Sequence, residues 1–294
     1  LAGSTFSYGI TGTFSDYTAE YTKCDNPTGL IGDPYVGKKY GEIWGYKVDG
    51  LFRNDKEAAE YASRIDLSTV ASGYYTATGA YGKGVRGGDI KYRDLNGDNI
   101  VNGGKGTLDD PGDRRVIGNS SPRYQYGASL NFSWYGFDVS VFMQGIGRLD
   151  WYPGADNLRF WGPYCRPYAT FVPKNFMSQV WSEENPDAYF PRARAYTSLN
   201  SNSGTAYYTN DRYLQNLAYC RLKNLTIGYT IPRRLTSKVG IKECRIYFSG
   251  ENLATWSALK SDFLDPEQAA ADSDKKANVY PWCKTYSIGL NLTF

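Results

Sequence analysis

A strict two-residue alternation of apolar and small polar side chains recurs along this chain. It confines much of the chain to extended strands whose two faces meet different surroundings. At the C-terminal end, Tyr286, Ile288, Leu290, Leu292 and Phe294 alternate with Thr285, Ser287, Gly289, Asn291 and Thr293. The same pattern runs through Tyr124–Trp134, through Phe137, Val139, Val141 and Met143, and through Leu225, Ile227, Tyr229 and Ile231. It recurs at Ile246 and Phe248, at Phe6, Tyr8, Ile10 and Phe14, and at Trp44, Tyr46 and Val48. That makes about seven strands of the length that crosses an outer membrane, with aromatic rings at their ends suited to the interfaces. A soluble β-sandwich alternates in the same way, because one face of each sheet packs on a core.

The connections separate these two readings. Tyr135-Gly136 alone joins two of the strands, whereas the next connection runs from about 148 to 218, far beyond the length usual in compact domains. Short turns at one end and long loops at the other describe a barrel in an outer membrane. The long loops at about 53 to 123, 148 to 218 and 257 to 282 then share the extracellular side, and the turn around Pro232 to Gly240 shares the opposite side with Tyr135-Gly136. An odd number of about seven strands leaves open sheet edges, which lipid does not tolerate. The expected fold is therefore an all-β, antiparallel transmembrane β-barrel segment, a piece of a larger barrel.

Composition removes other classes. The sequence of 294 residues holds 33 Lys and Arg against 30 Asp and Glu, a net +3 that suggests no nucleic acid partner. It has no His, which removes His-based triads and the commonest zinc ligand. No stretch reaches the roughly 18 apolar residues of a membrane-spanning helix. The five Cys, at 24, 165, 220, 244 and 283, form no C-x-x-C pair and read as packing residues. Glu183, Glu184 and Asp187 lack any spacing that pairs them as glycosidase acids, so no catalytic residue is assigned.

Two local constellations stand out. Asp94, Asn96, Asp98, Ile100 and Asn102 place oxygen donors at every second position, as in the first half of a calcium loop, with Asn99 where such a loop turns on glycine. The bland alternative is a polar surface turn. Trp151, Tyr152, Phe160, Trp161, Tyr164, Tyr168, Phe171 and Trp181 crowd a Pro-braced loop, where rings either face a substrate or partner or pack the loop.

Several blocks together resemble the C-terminal barrel region of SusC/RagA-type TonB-dependent transporters of Bacteroidetes. They are Gly88-Asp89-Ile90-Lys91-Tyr92-Arg93-Asp94-Leu95-Asn96-Gly97-Asp98, Asp113-Arg114-Arg115-Val116-Ile117-Gly118-Asn119, Pro122-Arg123-Tyr124 and Gly136-Phe137-Asp138 with Phe142-Met143-Gln144-Gly145. Further blocks are Tyr219–Tyr229, Ser249-Gly250-Glu251-Asn252-Leu253 and Lys284–Leu290. The resemblance implies a barrel of about 22 strands around an N-terminal plug, energised through TonB and lidded by a SusD-like lipoprotein. It implies import of a glycan or oligopeptide across the cell outer membrane. Residues 1–294 would then be the C-terminal part, with the plug and N-terminal strands outside this chain. By the same resemblance Asp113 supplies the closing acid of the Asp94 loop, a structural Ca2+ or Mg2+ site. Tyr286, Ile288, Leu290, Leu292 and Phe294 resemble the strand signal read by the outer-membrane insertion machinery. The rival reading is a soluble extracellular carbohydrate-binding β-sandwich with a calcium loop.

Overall fold

The computed structural model describes residues 6–76, 84–165, 172, 174–194, 206–261, 264–271 and 280–294. In chain order the elements are β1 (Ser7–Ser15), β2 (Glu42–Gly45), β3 (Val48–Leu51), α1 (Asp55–Ala62), α2 (Ser72–Thr76), β4 (Ile90–Tyr92), β5 (Arg115–Asn119), β6 (Arg123–Trp134) and β7 (Phe137–Arg148). They continue with β8 (Asp150–Trp151), α3 (Leu158–Trp161), β9 (Gln215–Asn216), β10 (Tyr219–Thr230), α4 (Arg233–Thr236), β11 (Glu243–Ser257), α5 (Pro266–Ala271) and β12 (Thr285–Thr293).

Six long strands form one antiparallel sheet in the order β1-β6-β7-β10-β11-β12. Among the described residues the wall thus has six strands, not the expected seven. The Trp44–Val48 segment is not a wall strand, because β2 pairs with β5 through Trp44 and Val116 in a separate two-stranded ribbon. The first long connection consequently runs from 16 to 122, not from about 53. The remaining alternation holds strand by strand. Register pairs Tyr8 with Phe132, Ile10 with Leu130, Val139 with Ile227, Ile246 with Leu290 and Phe248 with Ile288, so one face of the sheet is apolar throughout. The other face pairs Ser7 with Ser133, Thr11 with Ser129, Ser140 with Thr226 and Ser249 with Ser287.

The apolar face is bare. Ile10 is 69% exposed, Ile288 84% and Leu290 57%, and the sheet contributes almost nothing to the buried core. A sandwich would bury this face against a second sheet, so the soluble reading does not describe the molecule. Rings cluster at both ends of the face. Phe14, Tyr124, Trp256 and Tyr286 lie toward the long loops, and Trp134, Phe137, Tyr229 and Phe294 lie toward the short turns. Ten residues separate Tyr124 from Trp134. At about 3.3 Å each and a tilt of about 40° they span a height of about 25 Å, the apolar band of an outer-membrane barrel.

The turn Tyr135-Gly136 has φ of 46° and 88°. Both values are positive, which matches the twist of a two-residue hairpin and explains glycine at the second position. All three long connections leave from the opposite end, where they fold into a separate body. Its core is Phe52, Leu67, Val70, Ile90, Tyr92, Phe160, Trp161, Tyr164 and Tyr213, all buried. The helix α1 that frames it starts at Asn54, whose side chain accepts from Glu57 N at 2.9 Å while Glu57 accepts from Arg53 N at 2.7 Å.

Candidate functional site

The polar face of the sheet carries short hydroxyl and amide side chains joined across strands. Ser7 meets Ser133 at 2.8 Å and Ser140 meets Asn131 at 2.9 Å. Arg245 on β11 reaches over β10 to Asp138 on β7, with Nε to Oδ1 at 2.9 Å. Gly228 of β10 lies directly beneath, and a Cβ there would sit 2.5 Å from both partners. Glycine is therefore the residue that lets a bidentate ion pair cross a whole strand.

Toward the loops, the same face holds a buried charge cluster. Arg221 is 1% exposed and donates to Asp265 Oδ2 at 2.5 Å, Glu267 Oε2 at 2.8 Å and Thr255 Oγ1 at 2.9 Å. Lys223 donates to Glu267 as well, at 2.9 Å. Two cations facing two carboxylates meet the condition for burying charge, namely pairing with hydrogen bonds. Asp265 stands just before α5 and Glu267 within it, in the connection between β11 and β12, which is thereby tied to the wall. Asp265 also caps α5, its Oδ1 accepting from Glu267 N at 3.0 Å and Gln268 N at 3.2 Å. Sequence reasoning missed Asp265 and Glu267. The signal was present, because Asp-Pro-Glu is a helix start with an N-cap acid and proline at the first position.

The aromatic loop is corrected. Trp151, Tyr152, Phe160, Trp161, Tyr164 and Trp181 are all buried, and Tyr168 and Phe171 lie outside the described residues. Phe160 meets Trp161 edge to face at 4.8 Å, and Trp161 meets Tyr213 at 5.1 Å. These rings hold connections together, and Tyr152 also lines an open cleft with Trp44, Tyr46 and Tyr208. Their hydroxyls follow: burial pushes those of Tyr152 and Tyr164 well up and that of Tyr46 to about 12, so none exchanges protons near neutrality. Arg192, Arg194 and Arg212 also serve the loop body. Arg192 stacks on Trp181 at 4.5 Å, Arg194 pairs with the buried Asp89, and Arg212 donates to the Ala188 carbonyl at 2.7 Å. Glu183, Glu184 and Asp187 are exposed.

The loop from Asp94 to Asp113 closes on itself. Asp94 accepts from Gly97 N at 2.7 Å and Asn99 N at 2.9 Å, Asn96 from Asp98 N at 3.1 Å, and Asp98 from Ile100 N at 2.8 Å. Asn102 accepts from Gly104 N at 2.6 Å. Asn99 sits at φ 64°, the left-handed turn its side chain tolerates. Asp113 is fully buried and accepts from Leu95 N at 2.7 Å and Asn102 N at 2.9 Å, so it bolts both ends of the loop. The donors are all hard oxygens, which fits Ca2+ or Mg2+. Among the described residues no three Asp, Glu, Cys or His side chains converge at metal distance, so any cation would draw on Asn96, Asn102 and the Ile100 carbonyl besides the acids.

No family model matches the chain. It is 25% identical over 267 residues to TonB-dependent receptor P3 of Formosa agariphila, covering 88% of this chain and 22% of that protein. It is 28% identical over 215 residues to TonB-dependent receptor P26 of the same organism, covering 70% of this chain and 20% of that protein. The chain is similar in sequence to TonB-dependent receptors. It spans about a fifth of the length of these relatives. Among solved structures, the RagAB peptide transporter matches all of this chain and 28% of its own, with a TM-score of 0.61 and 18% identity. The RagAB peptide importer in an open-open state matches with a TM-score of 0.57 and the same identity. The fold is thus similar to a stretch of the RagAB barrel wall, matched over the whole of this chain. TonB-dependent receptors are outer-membrane proteins, and the bare apolar face is the surface this location requires. The matches are receptors and transporters, not enzymes.

Proposed function

We propose that this chain is the C-terminal wall and loop segment of a SusC/RagA-type importer. The complete protein carries a plug inside the barrel, draws energy through TonB and works with a SusD-like lipoprotein as lid. Its cargo is a glycan or an oligopeptide. The observation that supports this most is the pairing of a bare apolar outer face with a polar inner face onto which α5 is tied. A wall of this kind separates lipid from a passage, and a loop body at one end is where cargo and lid are met. Tyr286, Ile288, Leu290, Leu292 and Phe294, all exposed on the outer face, act as a signal for outer-membrane insertion.

Deleting the gene in the native organism tests the import reading. Uptake of labelled oligopeptides or of labelled oligosaccharides should fall to background, and dissipating the proton-motive force should abolish the same uptake in the parent strain. Unchanged uptake of both classes would overturn it.

The Asp94 loop is proposed to hold a structural Ca2+ or Mg2+, supported by its all-oxygen donors and its preformed turns. Adding a chelator should speed proteolytic cleavage between 94 and 113, and Asp98→Ala should remove the difference between the two conditions. A cleavage pattern indifferent to chelator in the unmodified protein would sink the cation. Asp113→Ala should open the loop in either condition, because the half-buried amides of Leu95 and Asn102 lose their acceptor, at about 1 kcal/mol each.

A further inference from the structure

The β10–β11 connection at the short-turn end carries a charge pattern that neither the wall nor the passage explains. Residues 232–242 read Pro-Arg-Arg-Leu-Thr-Ser-Lys-Val-Gly-Ile-Lys, four cations without an acid. Arg233, Arg234 and Lys238 are exposed, and none has an acidic partner among the described residues. Lys242 donates to the Phe294 carbonyl at 2.7 Å, which ties the connection to β12. Between the cations stand two bare apolar side chains, Leu235 at 53% and Val239 at 71% exposure. They are four residues apart, across α4 and the short 3-10 turn Ser237–Val239 that follows it. That spacing puts them near one face. The opposite side is anchored: Thr236 is buried, its carbonyl accepts from Ile241 N at 3.1 Å, and Gly240 at φ 78° ends the turn.

The surroundings specify what covers this surface. Tyr229 ends the apolar stripe of β10 just before the connection, and Trp134, Tyr135 and Phe137 stand at the same end of the neighbouring hairpin. Aromatic rings of this kind mark the interface of the bilayer, so the next residues along the chain lie at headgroup depth. An exposed Leu and Val continue the lipid-facing surface, and Arg and Lys beside them keep their stems apolar and their charged ends at the phosphates.

Resting on the barrel reading above, we infer that the 232–242 connection is a binding site for anionic phospholipid headgroups of the periplasmic leaflet. Arg233, Arg234 and Lys238 contact the phosphates, and Leu235 and Val239 are seated among the acyl chains.

The test uses the intact transporter containing this chain, reconstituted in phosphatidylcholine bilayers with trace spin-labelled phosphatidylglycerol or phosphatidylcholine. The readout is the ratio of the two lipids held at the protein surface. A basic residue near an anionic surface is worth about fivefold in partitioning, so the unmodified protein should hold phosphatidylglycerol about fivefold or more over phosphatidylcholine. Arg233→Gln/Arg234→Gln/Lys238→Gln should bring the ratio near one. Raising salt to about 1 M, where the Debye length is about 3 Å, should do the same to the unmodified protein. Lys238→Gln alone should lower the ratio as well, and this milder variant keeps the test open if the triple variant does not assemble. A ratio near one in the unmodified protein, or one that the substitutions leave unmoved whatever salt does, overturns the site. Inorganic phosphate should lower the ratio no more than chloride of equal ionic strength. A larger effect would make the connection a free-phosphate site and overturn the lipid assignment. The barrel reading is checked separately by migration in a denaturing gel before and after heating. A protein that shifts on heating but shows no lipid preference loses only the headgroup site, whereas one that does not shift loses the barrel.

Discussion

Replacing Arg194 by Met should lower the stability of the loop body by about 3–5 kcal/mol at neutral pH, because it strands a buried carboxylate. Arg194 and Asp89 are both almost wholly buried and meet at 2.6 Å, and Asp89 also accepts from Arg86 N at 2.7 Å. Arg194 lies over the ring of Tyr74 at 4.1 Å, so its plane is held from a second side. Burial pushes the Asp89 carboxyl up to about 6, although Arg194 pulls it down. An acid whose folded pKa stands above its unfolded value of about 3.9 binds more protons in the folded state. Its stabilising contribution is therefore present at low pH and is lost as pH rises from about 4 through about 6. Without Arg194 the carboxyl rises further, so at pH 5 it is neutral in the variant and the deficit relative to the unmodified protein shrinks. Hydrogen exchange of the Phe52 amide, which donates to the Asp89 carbonyl at 3.0 Å, reads the opening of this region. A deficit of the same size at pH 5 and pH 7.5 would contradict the assignment.

That ion pair also marks where the sequence stops being readable. Asp89 and Arg194 are 105 residues apart, and nothing local to either announces the other. The same holds for Arg221 and the acids at the start of α5, more than 40 residues downstream, although Asp-Pro-Glu is itself a helix-start pattern. The wall strands were legible because their two faces meet opposite solvents, so every second residue of Tyr124–Trp134 or Thr285–Thr293 reports its side. The Trp44–Val48 segment shows the same alternation for another reason. It is a short ribbon with Gly45 against Thr209 and Tyr46 in the loop core, where one side is buried by protein and not by lipid. Alternation tells that the two faces differ, not what covers them. The aromatic loop was ambiguous in the same way: rings braced by prolines are compatible with display and with packing, and the burial of Trp161 and Tyr164 puts those two rings in packing.

Charge on the outer face should then cost far more than charge on the inner face, and β12 offers the comparison within one strand. Leu290 pairs with Ile246 and is exposed on the apolar face between Tyr286 and Phe294, near the middle of the band. Leu290→Arg puts a guanidinium where lipid tails lie, at about 2–4 kcal/mol near the midplane. That corresponds to a loss of about thirtyfold to about a thousandfold in the folded population. Ser287 pairs with Ser249 on the polar face and is the better control than Asn291, which faces Arg245 and would oppose two cations. Ser287→Arg turns its charge toward water and toward Glu251, two residues along the same face of β11, and should cost less than about 1 kcal/mol. The fraction of intact transporter that changes mobility on heating, measured across a urea series in lipid vesicles, reads both variants directly. If the two substitutions shift the midpoint equally, the faces do not differ in solvent, and the barrel assignment fails at its foundation. If only Leu290→Arg shifts it, the alternation that opens the sequence is the imprint of two solvents on one strand.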